Sequence, residues 1–161
     1  MKMFVMILAL TASFFIMSCS DESTDPDSVE KTITIGVLLP ETGTASSTGE
    51  ASRLALNIAM DEIKNYLKSI ESDITFRLEF EDTGTDPATA LLKTQGFKEK
   101  GIDLIIGPYS SASTEQCGDY ADANDMLIVS PSRVAPSLAI EGDNIFRFAP
   151  SDIIQGKAMA K

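Results

Sequence analysis

The sequence predicts an α/β fold, a doubly wound parallel sheet, and three observations carry that prediction. Short strand-like runs, Thr32–Leu39, Thr75–Asp82, Ile102–Ile106, Met126–Val129 and Ile145–Phe148, alternate with stretches of helical length. Regular alternation of this kind calls for parallel strands joined by right-handed crossovers. Several of the runs are apolar with little polar alternation, which suits strands buried on both faces. Small hydroxyl residues also crowd the loops that follow three of them.

The chain begins with Met1-Lys2 and an apolar segment from Met3 to Met17, shorter than the roughly 20 residues a membrane span needs. It ends in Ile16-Met17-Ser18-Cys19, which resembles a bacterial lipoprotein box: an aliphatic residue at −3, a small one at −1, then the cysteine that receives lipid. Residues 1–18 are therefore expected to be a signal peptide and Cys19 the lipidated N-terminus, with ordinary cleavage or an uncleaved anchor as alternatives. Two or more acyl chains would hold the protein stably on a membrane. Ser20 to Glu30 contains five acidic residues and no aromatic group, so residues 19–31 read as the lipidated cysteine and an acidic tether. Such an acidic run also resembles the surface-export signal of Bacteroidota lipoproteins, although tethers are often acidic for solubility alone.

The first strand, Thr32–Leu39, starts with alternation, becomes wholly apolar, and is stopped by Pro40. Gly49-Glu50 is expected to start a long amphipathic helix. Ala51, Leu54, Ala55, Ile58, Ala59, Ile63, Tyr66, Leu67 and Ile70, interrupted by Glu62, recur at helical spacing as the stripe that lies on the sheet. Thr75–Asp82 alternates cleanly, like a strand nearer the edge with one wet face. Asp86-Pro87 has the form of an N-cap followed by proline at the first helical position, and Gly101 is the expected stop. After Ile102–Ile106 and Gly107-Pro108, Ser113 and Gln116 have the spacing of a capping box that opens the next helix, which runs to about Asn124. Met126–Val129 reads as another buried strand and Ile145–Phe148 as a short fifth one.

Composition excludes several functions. With 13 Lys plus Arg against 24 Asp plus Glu, the net charge of −11 leaves no basic footprint for nucleic acid. There is no histidine, so His-ligated metal and His-based triads are impossible, and Cys19 and Cys117 form no CxxC pattern. Cys117 is expected to be a free, packed thiol. Gly43 and Gly49 fit neither a dinucleotide fingerprint nor a Walker A loop. No nucleophile–base pair is visible, and no cofactor or metal is expected.

In a doubly wound sheet ligands sit beyond the carboxyl ends of the strands, at a switch in strand order. Thr42 to Thr48, Tyr109 to Ser113, and Ser130 to Ser132 would converge there as small, hydroxyl-rich loops. Ser110 and Ser111 would stand at a helix N-terminus, where unpaired amides favour an anion such as a carboxylate. The plainer reading is that these serines only cap a surface helix.

Taken in order, Thr34-Ile35-Gly36-Val37-Leu38-Leu39-Pro40 with Thr42-Gly43, Asp86-Pro87-Ala88, Ile105-Ile106-Gly107-Pro108 with Ser110-Ser111, Ser130-Pro131-Ser132, and Phe146-Arg147 with Pro150-Ser151-Asp152 and Gln155-Gly156 resemble the branched-chain amino-acid (Leu/Ile/Val) binding-protein family. The resemblance implies an extracytoplasmic solute receptor of an ABC importer with a type I periplasmic-binding fold. Residues 32–150 would be its Rossmann-like N-terminal lobe and residues 151–161 the crossover into a second lobe that is missing, as in a fragment of a longer gene. It further implies that Ser111, with neighbouring amides of the Tyr109–Ser113 loop, holds a substrate carboxylate. Backbone groups at Ser132 would hold the amino-acid head group. Val134 stands where a threonine donor is common, Asp152 would meet the substrate ammonium, and Thr48 would cover the ligand. The implied partners are an amino acid or similar small polar ligand, the importer's membrane subunits, and the membrane through the anchor. A sensory receptor module of the same fold is the alternative function.

Overall fold

The computed structural model describes residues 31–132, 134–135 and 140–160. The expected signal peptide, Cys19 and most of the acidic tether lie outside them. Nine elements follow one another: β1 (Lys31–Leu39), α1 (Ser46–Ser69), β2 (Ile74–Asp82), α2 (Pro87–Glu99), β3 (Leu104–Ile106), α3 (Ser111–Ala123), β4 (Leu127–Ser130), β5 (Ile145–Arg147) and α4 (Asp152–Met159). The strands form one sheet in the order β2-β1-β3-β4-β5, and every pairing is parallel. Strand order reverses between β1 and β3. The predicted doubly wound sheet is therefore present, with β2 at an edge as its alternation indicates.

Pleat and register explain the layers. Gly36, Ile105, Ile128 and Ile145 are aligned across four strands and point to one face, where α2 and α3 supply Phe97, Ala90, Cys117 and Ala121. Their neighbours Phe80, Val37, Ile106, Val129 and Phe146 form the matching row on the opposite face. There α1 covers the β1–β2 end, with the Arg53 guanidinium 3.8 Å from the Phe80 ring centre. Cover thins towards β5, where Phe146 is 61% exposed.

The polar face of edge strand β2 is held to α2 by ion pairs. Lys93 reaches Glu81 at 2.7 Å and Lys100 reaches Glu79 at 2.6 Å. Asp86 caps α2 as expected, accepting from the Thr89 amide at 2.7 Å with Pro87 at the first helical position. Cys117 is fully buried; burial pushes its thiol up, partly opposed by a hydrogen bond from Thr94.

Four expectations need correction. Helix α1 starts at Ser46, not at Gly49. Gly49 is required for packing instead: a Cβ there would stand 2.2 Å from the Pro40 carbonyl oxygen. The stripe expected to lie on the sheet faces largely outward, with Leu54 63%, Ile58 55%, Tyr66 64% and Ile70 53% exposed. Leu67 alone of that stripe is half-buried, and it shares the inward side with Leu56 and Met60. The Ser113–Gln116 capping box is not used, since α3 is capped by Ser110 and Ser113 is buried one turn in. Strand β3 begins at Leu104, because the Ile102 amide is taken by the Phe97 carbonyl at 2.9 Å in the turn that ends α2.

Candidate functional site

The carboxyl ends of β1, β2, β3 and β4 deliver their loops to one edge of the sheet, around the strand-order switch between β1 and β3. Gly107 makes that convergence possible. Its φ is +101°, and a Cβ on it would lie 2.2 Å from the Leu38 carbonyl oxygen of β1. Only a residue without a side chain fits there.

Helix α3 follows from this turn. Ser110, extended at φ −87°, ψ 151°, caps it, and its Oγ accepts from the Ser113 amide at 3.0 Å. The Ser110 hydroxyl donates in turn to Ser113 Oγ at 2.8 Å. Thr114 closes the turn, its amide and its hydroxyl each donating to the Ser110 carbonyl at 2.9 Å. Ser111 occupies the first helical position and is half-buried. Among the described residues its hydroxyl has no hydrogen-bond partner, and neither do the amides of Ser111 and Ala112. Three donors and the positive end of the helix dipole are thus left for an acceptor from outside.

Strand β4 fastens the same loop from the other side. The buried Ser130 hydroxyl donates to the Pro108 carbonyl at 2.9 Å, and the Ser132 hydroxyl donates to the Tyr109 carbonyl. Tyr109, Ser110, Ser111 and Ser132 are accordingly brought together. Val134 and Asp152 form a second group, in which the Asp152 amide donates to the Val134 carbonyl at 3.1 Å. The Asp152 side chain is exposed in the first turn of α4. Thr48 lies in the first turn of α1 rather than in the loop before it, and no hydrogen bond among the described residues joins it to either group.

Residues the sequence reading passed over organise the β1 and β2 ends of this edge. The Asp82 carboxylate accepts from the amides of Glu41, Thr42 and Gly84 and from the Thr42 hydroxyl. Burial pushes its pKa up, but these four hydrogen bonds outweigh burial and hold it below the usual carboxylate value. The visible signal is the run Asp82-Thr83-Gly84-Thr85, as rich in turn residues as the loops that were singled out.

One cavity adjoins this edge and another lies away from it. One of about 430 Å³ is bounded by Pro87 of α2 and by Ala112 and Gln116 of α3. A larger one of about 770 Å³ opens away from the strand ends, between α1 and β2. No grouping of metal-binding side chains exists among the described residues, and none of their helices is long and apolar enough to cross a membrane.

Comparison with known proteins decides the family. The model of a periplasmic binding protein family matches residues 32–161. The chain belongs to that family. Its members are binding proteins of the extracytoplasmic space, not enzymes. The Leu/Ile/Val-binding protein BraC3 of Rhizobium johnstonii is 28% identical over 130 residues, 80% of this chain and 35% of the relative. The chemotactic signal transduction system substrate-binding protein BasB of Halobacterium salinarum is 29% identical over 80% of this chain and 33% of its own length. The solved leucine-binding protein LivK of Thermotoga maritima superposes with a TM-score of 0.70 at 26% identity, over 80% of this chain and 35% of that one. The chain therefore spans about a third of the relatives it matches, and the described residues have the architecture of one lobe of a type I periplasmic-binding fold.

Proposed function

We propose that the protein is a solute receptor of an ABC importer that captures an amino acid or a related small carboxylate between two lobes, residues 32–150 forming the N-terminal one. The observation that carries this reading is the first turn of α3, where the Ser111 hydroxyl and two amides have no partner among the described residues and stand beside the strand-order switch. A carboxylate satisfies all three donors, and charge-assisted hydrogen bonds of this type contribute on the order of 1.5–3 kcal/mol each. Ser132 and the Tyr109 loop hold the head group, Asp152 meets the ammonium, and Thr48 covers the ligand from α1. Val134 offers no hydroxyl and so narrows the donor set. No bond chemistry is involved. Cys19 carries the lipid that keeps the receptor at the membrane, with residues 20–31 as the tether.

The BasB relative supports a second reading, in which the same pocket reports ligand to a signalling partner. One experiment addresses the binding common to both. A ligand that binds only the folded state raises the unfolding midpoint by mass action. A thermal-shift screen of the purified protein against α-amino acids, amides and small carboxylates should show a rise with one class. No shift anywhere in the panel sinks the amino-acid reading.

A further inference from the structure

Asp82 lies at the end of the edge strand, yet its carboxylate is the hub of the neighbouring loops. Its Oδ1 accepts from the Glu41 amide at 2.9 Å, the Thr42 amide at 3.1 Å and the Gly84 amide at 2.8 Å. Its Oδ2 accepts from the Thr42 hydroxyl at 2.6 Å. One side chain thereby ties the β1–α1 loop to the β2–α2 loop. Thr85 adds a second tie, donating to the Thr42 carbonyl at 3.0 Å and accepting from the Ala45 amide at 3.2 Å. To do so it holds φ +63°, a left-handed conformation that threonine rarely adopts. The loops touch directly as well, since a Cβ on Gly43 would lie 2.4 Å from the Gly84 carbonyl.

From this hub the constraint reaches the proposed site along two routes. The first runs through Ala45 into the opening turn of α1, which carries Thr48. The second runs through Asp86 and Pro87 to the opening turn of α2, which borders the same cavity as Ala112 of α3. We propose that Asp82 is a positioning residue of the binding site: it fixes the β1–α1 and β2–α2 loops as one rigid wall beside the α3 N-terminus, without touching the ligand. The proposal rests on the receptor reading given above. It requires that loosening Asp82 lower affinity by lowering the fraction of time the wall is in place. A wall in place about one tenth of the time weakens apparent affinity about tenfold.

The test compares Asp82→Ala, Asp82→Asn and the core control Thr94→Ala with the unsubstituted protein. Thr94 is buried on α2 and bonds only to Ala90 and Cys117 among the described residues, so its loss lowers stability without touching the wall. Amide hydrogen exchange is followed at Glu41, Thr42 and Gly84, and L-leucine affinity is measured by calorimetry well below each midpoint. The expected result is lost protection and about tenfold weaker binding in Asp82→Ala. Asp82→Asn, which keeps an acceptor, should be intermediate, and Thr94→Ala should bind like the unsubstituted protein. Lost protection with unchanged affinity overturns the positioning role, as does weakening in Thr94→Ala equal to that in Asp82→Ala. Protection of the three amides that survives Asp82→Ala overturns the brace itself. Failure of L-leucine and of every other amino acid and carboxylate in the thermal-shift panel to bind the unsubstituted protein, with the three amides protected only while Asp82 is present, overturns the receptor reading and with it the positioning role, and retains the brace.

Discussion

The ring of Phe97 lies so close over Gly36 that a Cβ on the glycine would stand 2.7 Å from the ring. This contact joins α2 to β1 at the middle of the sheet, and Phe97 is fully buried. The added methyl of Gly36→Ala has to displace the ring, an overpacking cost of about 1–3 kcal/mol that exceeds the roughly 0.5–1 kcal/mol alanine gains over glycine in a strand. Gly36→Ala should therefore lower stability in denaturant titration. Phe97→Leu should destabilise less in the Gly36→Ala background than alone, because the two sites share one space. Additive losses in that double-mutant cycle would show that the contact is not tight.

How much of this fold the sequence disclosed depends on how local each cause is. The Asp86–Pro87 cap was legible because capping chemistry involves four adjacent residues, and the strands were legible because apolar runs of that length have few other homes. In the run Ser110 to Thr114 two registers of cap were chemically open. A tertiary tie and a local one favour the observed register: Ser130 of β4 holds Pro108, and Thr114 folds back on Ser110 within the first turn. The hydroxyl-rich loops of the candidate site announced themselves by composition. The Asp82 hub did not, since it joins backbone groups up to 41 residues away whose hydrogen-bonding need leaves no mark in the sequence.

Helix α1 presents the same difficulty, because it carries two apolar stripes and periodicity alone does not say which one faces the sheet. The structure turns Leu56 and Met60 inward, with Leu67 common to both stripes. Leu54→Ser and Ile58→Ser should each change stability by no more than about 0.5 kcal/mol, as exposed substitutions do. Met60→Ala should cost more, on the order of 1–2 kcal/mol for a half-buried side chain, below the 2–5 kcal/mol of a full core truncation. Chemical denaturation of the three variants decides it, and the reverse order of losses would turn the helix over.

Stability should also fall in acid. Asp82 is held low by the hydrogen bonds that outweigh its burial, Glu81 chiefly by its hydrogen bond from Lys93, and Asp86 by the Thr89 hydroxyl and amide. A carboxylate with a depressed folded pKa contributes stability that is fully present above its unfolded value, about 3.9 for Asp and 4.3 for Glu. That stability is lost as pH drops through the folded value. The midpoint of unfolding should thus be flat near neutrality and decline below about pH 5, and Asp82→Asn should make the decline shallower. Lys100 acts at the other end. Its hydrogen bond with Glu79 raises its pKa, so its contribution is fully present below the unfolded value of about 10.4 and is lost as pH rises through the raised folded value. An Asp82→Asn profile parallel to the unsubstituted one between pH 3 and 6 would contradict the assignment.

Ser110 and Ser111 are adjacent hydroxyls that the structure assigns to different tasks, and substitution should separate them. Ser110 spends its side chain on the helix, since its oxygen takes the Ser113 amide and its hydrogen goes to Ser113 Oγ. Removing that cap should cost about 1 kcal/mol, within the usual range of 0.5–2 for a serine N-cap. Ser111 caps nothing, and among the described residues its hydroxyl is unpaired. Ser111→Ala should leave the unfolding midpoint nearly unchanged. If Ser111 donates to the ligand carboxylate, the same change should weaken binding by the worth of one charge-assisted hydrogen bond, about 1.5–3 kcal/mol or roughly ten- to hundredfold. Ser111→Gly should behave like Ser111→Ala in binding but lose slightly more stability, because glycine gives the unfolded chain more freedom. Calorimetric titration with the amino acid that gives the largest thermal shift, set beside denaturation of both serine variants, reads the two effects independently. A Ser111→Ala protein that binds as tightly as the original would return this residue to ordinary helix surface and shift the carboxylate to the backbone amides alone.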